Sequence, residues 1–440
     1  MNSVLQEYTP DERRPWNLRR VVHLHRRAGF AATWHELQRD LSDGPQAAIE
    51  RLLTGRAYTT GVPEAFEETS RLLCDAAVAS GSIHRLKAWW IYRMLFSPDP
   101  LGERLTLIWH NHFATSNRKV EDVSLMRRQN DLLRQFARAP FGELLTHAVK
   151  DPALLVWLDA DTNRREHPNE NLARELLELF SLGVGNYSET DVKEAARALT
   201  GWTVKNRQFR DVADYHDDGE KTILGSSGRW RGDDLVRLLL EQPATSRRLA
   251  RRVCEMLLGE GTTGEEMIET LAVGLRERNL DVAWAVGTVL RSNEFFDDAN
   301  IGNRVLGPAQ FVVGAVRALE MFDPPPSTIV LAEWMAALGQ DLFEPPNVFG
   351  WPGGRAWLNT RSLIARGNFA TRLADGGLQS AAAPRDWMSL ARRHGCESQE
   401  QFGRLLQQLL WNAVDNESGE ADDARQLVAA VLGSPRAQLG

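Results

Sequence analysis

The sequence predicts an all-α protein: one large, irregular helical domain with two long ordered loops and a helical C-terminal extension. Three observations carry that expectation. Apolar residues recur at three- and four-residue spacing along most of the chain, as in Trp34, Leu37 and Leu41. Glycine and proline sit where these runs begin and end, with Gly55 after Leu53 and Pro98 after Ser97. Two stretches, 201–231 and 344–357, abandon the periodicity and collect glycine and proline instead.

In chain order, the spacing predicts helices over 63–79, 83–96 and 103–113, the last nearly apolar all round and therefore interior. Further helices are expected over 123–138, 141–150, 171–182 and 190–199, with Pro140 and Pro152 at tolerated first-turn positions. The stretch 201–231 reads as a long loop with a short hairpin around 221–224. Helices then resume over 233–258, 265–276, 282–291 and 308–321. The run Asp323-Pro324-Pro325-Pro326 is a stiff break. Beyond about Gly376 a polar linker leads into a helical tail ending at Gly440.

Composition narrows the class of function. The chain has 440 residues, 43% of them hydrophobic, so it can bury a sizeable core. A formal charge of -7, with arginines interleaved among acids, argues against a general nucleic-acid binder. Cys74, Cys254 and Cys396 are odd in number and far apart, which excludes a disulfide framework and a cysteine-based zinc site and predicts buried free thiols. The first twenty residues carry no apolar segment of the secretory kind, and no run is long enough to span a bilayer. The cytoplasm is the expected location.

Several familiar motifs fail on inspection. Gly259-Glu260-Gly261-Thr262-Thr263-Gly264 matches a dinucleotide fingerprint, but it follows a helix and its acids would repel a pyrophosphate, so a helix–helix turn is expected. There is no Walker-type phosphate loop, H-E-x-x-H helix or G-x-S-x-G elbow. Asp214, His216, Asp218 and Gly219 open like a calcium loop, but the position for the bidentate acid is Gly225.

Five segments remain that could carry chemistry. Trp109-His110-Asn111-His112-Phe113 closes the apolar helix; its two histidines lie on nearly opposite faces, so one could face a pocket while the other packs. In the 171–182 helix, capped by Asn169 or Asn171 and ended by Gly183, Asn171, Glu175, Glu178 and Leu182 form a second stripe. Two acids on a covered face need a metal, arginine partners such as Arg174 or Arg197, or a raised pKa. Asp191 reads as a helix-terminus carboxylate, and Trp202 as core or pocket wall. His216 beside Asp217 is a candidate ligand or general base, with a turn at Asp218-Gly219. The run from Asn347 through Trp351 and Trp357 to Asn359 either walls a pocket or clamps the core, and the clamp is preferred.

Taken together these segments resemble the bacterial family catalogued as domain of unknown function 1800. The matching stretches are Trp109 to Phe113, Asn169 to Leu179, Leu199-Thr200-Gly201-Trp202, His216-Asp217 with Lys221 and Leu224-Gly225, and Gly350-Trp351-Pro352 with Trp357. The likeness begins near Val21, with His23-Leu24-His25-Arg26-Arg27-Ala28-Gly29-Phe30, and runs to at least Asn368. It divides the chain into an extension (1–20), a family-like helical domain (21–375) and a helical tail (376–440). The resemblance implies a mostly helical, often envelope-associated protein, frequently encoded beside a sulfatase-like family. It places His112, Asn171, Arg174, Glu175, Glu178, Trp202, His216 and Trp351 in family motifs without giving them roles.

Three functional expectations follow. One is a metal-dependent enzyme, hydrolytic or oxidative, in which His112, Glu175, Glu178 and His216 hold iron, manganese or zinc, with His110, Asn171, Arg174, Asp191, Trp202, Asp217 and Trp351 around them. Another is a non-catalytic assembly protein that docks a sulfatase-like partner. The last is a carbohydrate- or peptide-binding module built on the loop tryptophans.

Overall fold

Helix starts in this chain are written in short polar side chains. Asn17 accepts the Arg20 N–H to open the Leu18–Ala28 helix. Thr33 and Glu36 cap Trp34–Asp43 reciprocally, and Ser188 with Asp191 does the same for Glu189–Ala198. The computed structural model describes residues 5–378, 385–413 and 421–440. Helices dominate these residues, beside two small two-stranded antiparallel sheets, so the chain is mainly helical.

The Pro100–His112 helix runs through the interior and is buried on almost every side by Leu101, Leu105, Leu107 and Trp109. It also carries two adjacent charges, Glu103 and Arg104, which only tertiary partners can accommodate. Glu103 accepts from Arg93 and Arg134, each at 2.8 Å, and from the Trp90 indole at 3.2 Å. Burial pushes its carboxyl up, but Arg134 and Arg93 outweigh burial and hold it below the ordinary range.

Both ends of the chain pack onto this body. Near the start, Leu5 and Tyr8 are buried, and the Tyr8 N–H donates to the Arg291 carbonyl at 2.7 Å. At the other end, Arg366 donates to Gln438 and to the Leu306 carbonyl, both at 2.7 Å, and Val305 bridges to Leu439. The expected linker beyond Gly376 lies partly at 379–384, outside the described residues.

Several expectations about individual elements need correction. The single helix over 233–258 is two, Gly232–Leu240 and Pro243–Leu257, because Pro243 cannot donate to a carbonyl one turn back. The long loop contains two hairpins rather than one: Trp202–Lys205 with Gln208–Asp211, and Lys221–Ile223 with Ser226–Gly228. Each turns on two consecutive left-handed residues, Asn206-Arg207 and Leu224-Gly225, as tight hairpins require. The 171–182 helix is α-helical only over Asn171–Glu175 and continues as a π-helix over Leu176–Ser181. The wider turn shifts every side chain beyond Glu175 from the face that α-spacing predicts. Gly183, at φ +86°, ends it as expected. The three cysteines are free and buried.

Candidate functional site

Three of the four residues expected to share a metal have local hydrogen-bond partners of their own, and the fourth, Glu175, has charge interactions with Glu178 and Arg174. His112 is buried among Trp109, Phe113, Phe141 and Phe180, and its Nε2 meets the Phe180 carbonyl at 3.2 Å. Burial, with repulsion from Arg252 and Arg248, pushes its pKa well down, so the ring is neutral. His216 is also buried, and its Nδ1–H donates to the Thr200 carbonyl at 2.8 Å. Glu178 accepts the Tyr187 hydroxyl. Glu175 is half-buried, and burial together with Glu178 raises its pKa. Among the described residues, no group of three or more His, Cys, Asp or Glu side chains is assembled that could hold a metal ion.

The surrounding residues follow the same separation. Arg174 pairs with Glu170 and Glu189 rather than with the two expected acids. Asp217 turns away from His216 to Arg197 at 2.7 Å. Asn169, not Asn171, supplies the side-chain acceptor at the start of its helix, taking the Asn171 N–H at 3.0 Å. Asp191 accepts from Ser188 and, at 2.6 Å, from the Leu224 N–H, which pins the second hairpin to the helix start. Trp202 is core: a side chain at Gly232 would press into its ring, and Lys150 lies 5.5 Å above it. His110 is fully buried between Trp90, Phe343 and Trp351; neither ring nitrogen has a partner, and burial drives its pKa down to about 3.

What the fold does assemble is a cavity of about 520 Å³, within the size range of small-molecule sites. One wall is a face of the Pro100–His112 helix, with Arg104, Ile108 and Asn111. A second is the end of the Pro243–Leu257 helix and the 259–264 turn, with Arg252, Glu255 and Glu260. The third is the glycine-rich loop, with Trp351, Pro352 and Trp357. The loop's position depends on Gly350, whose φ is +82°; a Cβ there would lie 2.2 Å from the Asn111 Oδ1. That same oxygen accepts the Trp351 N–H at 2.6 Å, so Asn111 clamps the loop while facing the cavity. Trp351 is thus both the expected clamp and a pocket wall, and its own indole N–H donates to the Asp341 carbonyl at 3.1 Å.

The lining is cationic: Arg104, Arg251, Arg252 and Arg304 stand against Glu255 and Glu260. Arg304 donates to the Met256 carbonyl, and burial lowers its pKa to about 10. Burial, and then Arg304, push Arg104 well below its ordinary value. Glu260 accepts the Val305 N–H at 3.2 Å, which directs its carboxylate along the rim beside Gly354. The N-terminus of the Pro308–Ala318 helix, at Gly307, opens on the same space and adds partial positive charge. Sequence reasoning missed these residues. A charge pair inside an otherwise apolar helix was the available signal at Arg104; Glu260 lies in the glycine-rich 259–264 motif, set aside above as a helix–helix turn, and nothing local marks Arg304.

A family model described as "Protein of unknown function (DUF1800)" matches residues 23–439, nearly the whole chain. No curated protein and no solved structure matches it.

Proposed function

The chain belongs to that family, and from this premise we propose that its function is the uptake of a small polar molecule into the cavity beside the Gly350–Trp357 loop. The observation that carries the reading is that the two tryptophans of the loop, distant in sequence from the Pro100–His112 helix, close a polar cavity over it. Trp357 lines the cavity, and among the described residues its indole N–H makes no hydrogen bond. A planar apolar wall facing fixed polar groups suits a ligand with a ring or sugar body. This develops the expectation of a binding module on the loop tryptophans, with the ligand enclosed rather than laid on a surface. Calorimetry and thermal melting against a panel of monosaccharides, disaccharides, sugar acids and amino acids test it. Saturable binding that Trp357→Leu weakens by about tenfold, on the order of 1.4 kcal/mol, supports the proposal. Binding unchanged by that substitution contradicts it.

A metal-dependent activity keeps one observation in its favour. Glu175 forms no salt bridge among the described residues, and burial and the charge of Glu178 outweigh that of Arg174 in raising its pKa. A divalent ion bound there would relieve the repulsion. Elemental analysis of the purified protein against the Glu175→Ala/Glu178→Ala variant is the test. Equal, negligible metal in both eliminates this reading.

A further inference from the structure

Building on the reading of the cavity as the binding site, we infer that its ligand carries an oxyanion, of the phosphate, sulfate or carboxylate class, and that Arg104 is the residue that receives it.

The case rests on how this fold treats its other buried arginines. Arg27 donates its terminal nitrogens to the Leu258 and Asn300 carbonyls at 2.7 and 2.8 Å. Arg317 serves Glu36 and the Leu95 carbonyl, and Arg366 serves Gln438 and the Leu306 carbonyl. Arg26 donates to three backbone carbonyls at 409, 410 and 439, and Arg20 to Asp298 and Phe296. Each guanidinium is therefore built into the frame, as a buried cation must be.

Arg104 breaks this pattern. It is 5% exposed, and although its Nε is unpartnered like those of Arg27, Arg317 and Arg366, it differs from them in that no carbonyl or carboxylate among the described residues receives its terminal nitrogens. Those nitrogens open on the cavity, where Arg304 and Arg252 add like charge. Folding gains nothing from this arrangement, because an uncompensated buried cation opposes the compact state. An oxyanion accepting the planar fork of Arg104 in two parallel hydrogen bonds completes it, as arginine does for carboxylate and phosphate generally. Glu260, on the rim, then faces the part of the ligand that carries hydroxyls instead of charge.

Inorganic phosphate and sulfate are the probes, used on the full chain by thermal melting and calorimetry at constant ionic strength set with chloride. In the wild type either anion should raise the melting temperature by several degrees. Arg104→Met should abolish that rise and weaken calorimetric binding by about a hundredfold or more, the scale of two charge-assisted hydrogen bonds. Without added anion, Arg104→Met should melt at or above the wild-type temperature. Arg104→Lys, which keeps the charge but not the fork, should bind at an intermediate level.

An anion response equal in wild type and Arg104→Met overturns the inference, as does no response in the wild type. So does an Arg104→Met protein that melts far below wild type in chloride alone, for that would make Arg104 structural. If Arg104→Met does not fold, an Arg104→Lys response equal to wild type also overturns it. Neutral panel members binding wild type and Arg104→Met alike, with phosphate inert, would sink the oxyanion and leave the cavity reading standing. Silence from every ligand would sink both.

Discussion

Gly350→Ala is the perturbation that most directly tests how the cavity wall is held. At φ +82° an alanine occupies a left-handed conformation that costs about 1–2 kcal/mol relative to glycine. Its Cβ would sit 2.2 Å from the Asn111 Oδ1 and 2.6 Å from the Asn111 carbonyl, so the loop must retreat. Retreat breaks the 2.6 Å hydrogen bond from the Trp351 N–H to Asn111, a loss of about 0.5–1.5 kcal/mol. Together these come to about 1.5–3.5 kcal/mol, carried by a loop whose opening need not unfold the rest of the chain. Hydrogen exchange is therefore the first assay: amides of 347–357 should exchange roughly tenfold or more faster, with the Pro100–His112 helix little changed. A urea midpoint should fall as well. Gly353→Ala is the internal control, for its φ is -115° and nothing lies within 4 Å of the added methyl. It should stay within about 0.5 kcal/mol of wild type. Equal exchange in the two variants would refute the clamp.

Glu103→Gln should cost about 3–5 kcal/mol in urea unfolding at pH 7, because Arg93 and Arg134 keep their charges without a carboxylate. Since the folded pKa of Glu103 lies below 4.5, the wild-type advantage is full above that value and shrinks as pH falls through the folded pKa; an advantage unchanged in acid would count against the pairing. Asp151 has the opposite sign. It is buried, accepts from Gln129 at 2.9 Å and from the Leu154 N–H at 3.1 Å, and burial pushes its pKa up to about 7. The native state thus holds a proton that the unfolded chain releases near 3.8, and stability is lost as pH rises through about 7. Asp151→Asn should therefore be more stable than wild type at pH 8 by a few kcal/mol, at ~1.4 kcal/mol per pH unit, and should lose that gain at pH 4; a pH-independent difference would dispose of the idea. Cys254, wholly buried with its thiol pushed up to about 12, should react with a disulfide reagent only on unfolding, whereas native-state labelling would show that the end of its helix opens.

Helix identities and several ends were legible because they depend on atoms three or four residues apart. Capping of Glu189–Ala198 through Asp191 and the stop at Gly183 needed no knowledge of the rest of the fold. The break before Pro243 is equally local, since proline sets it without any tertiary partner. The π-turn after Glu175 was not legible: an apolar stripe of Leu172, Leu176 and Leu179 suits an α-helix, and nothing in the stripe announces an extra residue in the turn.

The candidate site divides along the same line. Asparagine, glycine and tryptophan between 347 and 359 could be singled out in the linear chain, since residue types with special backbone freedom or large rings are visible there. Their meeting with Arg104, Arg304 and Glu260 could not, because those partners lie about fifty to two hundred and fifty positions away and nothing local to them points to this loop. His112 and His216 illustrate the converse. Each is an apt ligand by residue type, yet each spends a ring nitrogen on a backbone carbonyl that only the folded chain brings near. Short-range hydrogen bonding and sterics select helices and turns from neighbouring residues alone, whereas charge–charge interactions fall with distance in space and are indifferent to distance along the chain. For that reason composition and spacing were enough for a helical class, and packing alone determined which charges face one another across the cavity.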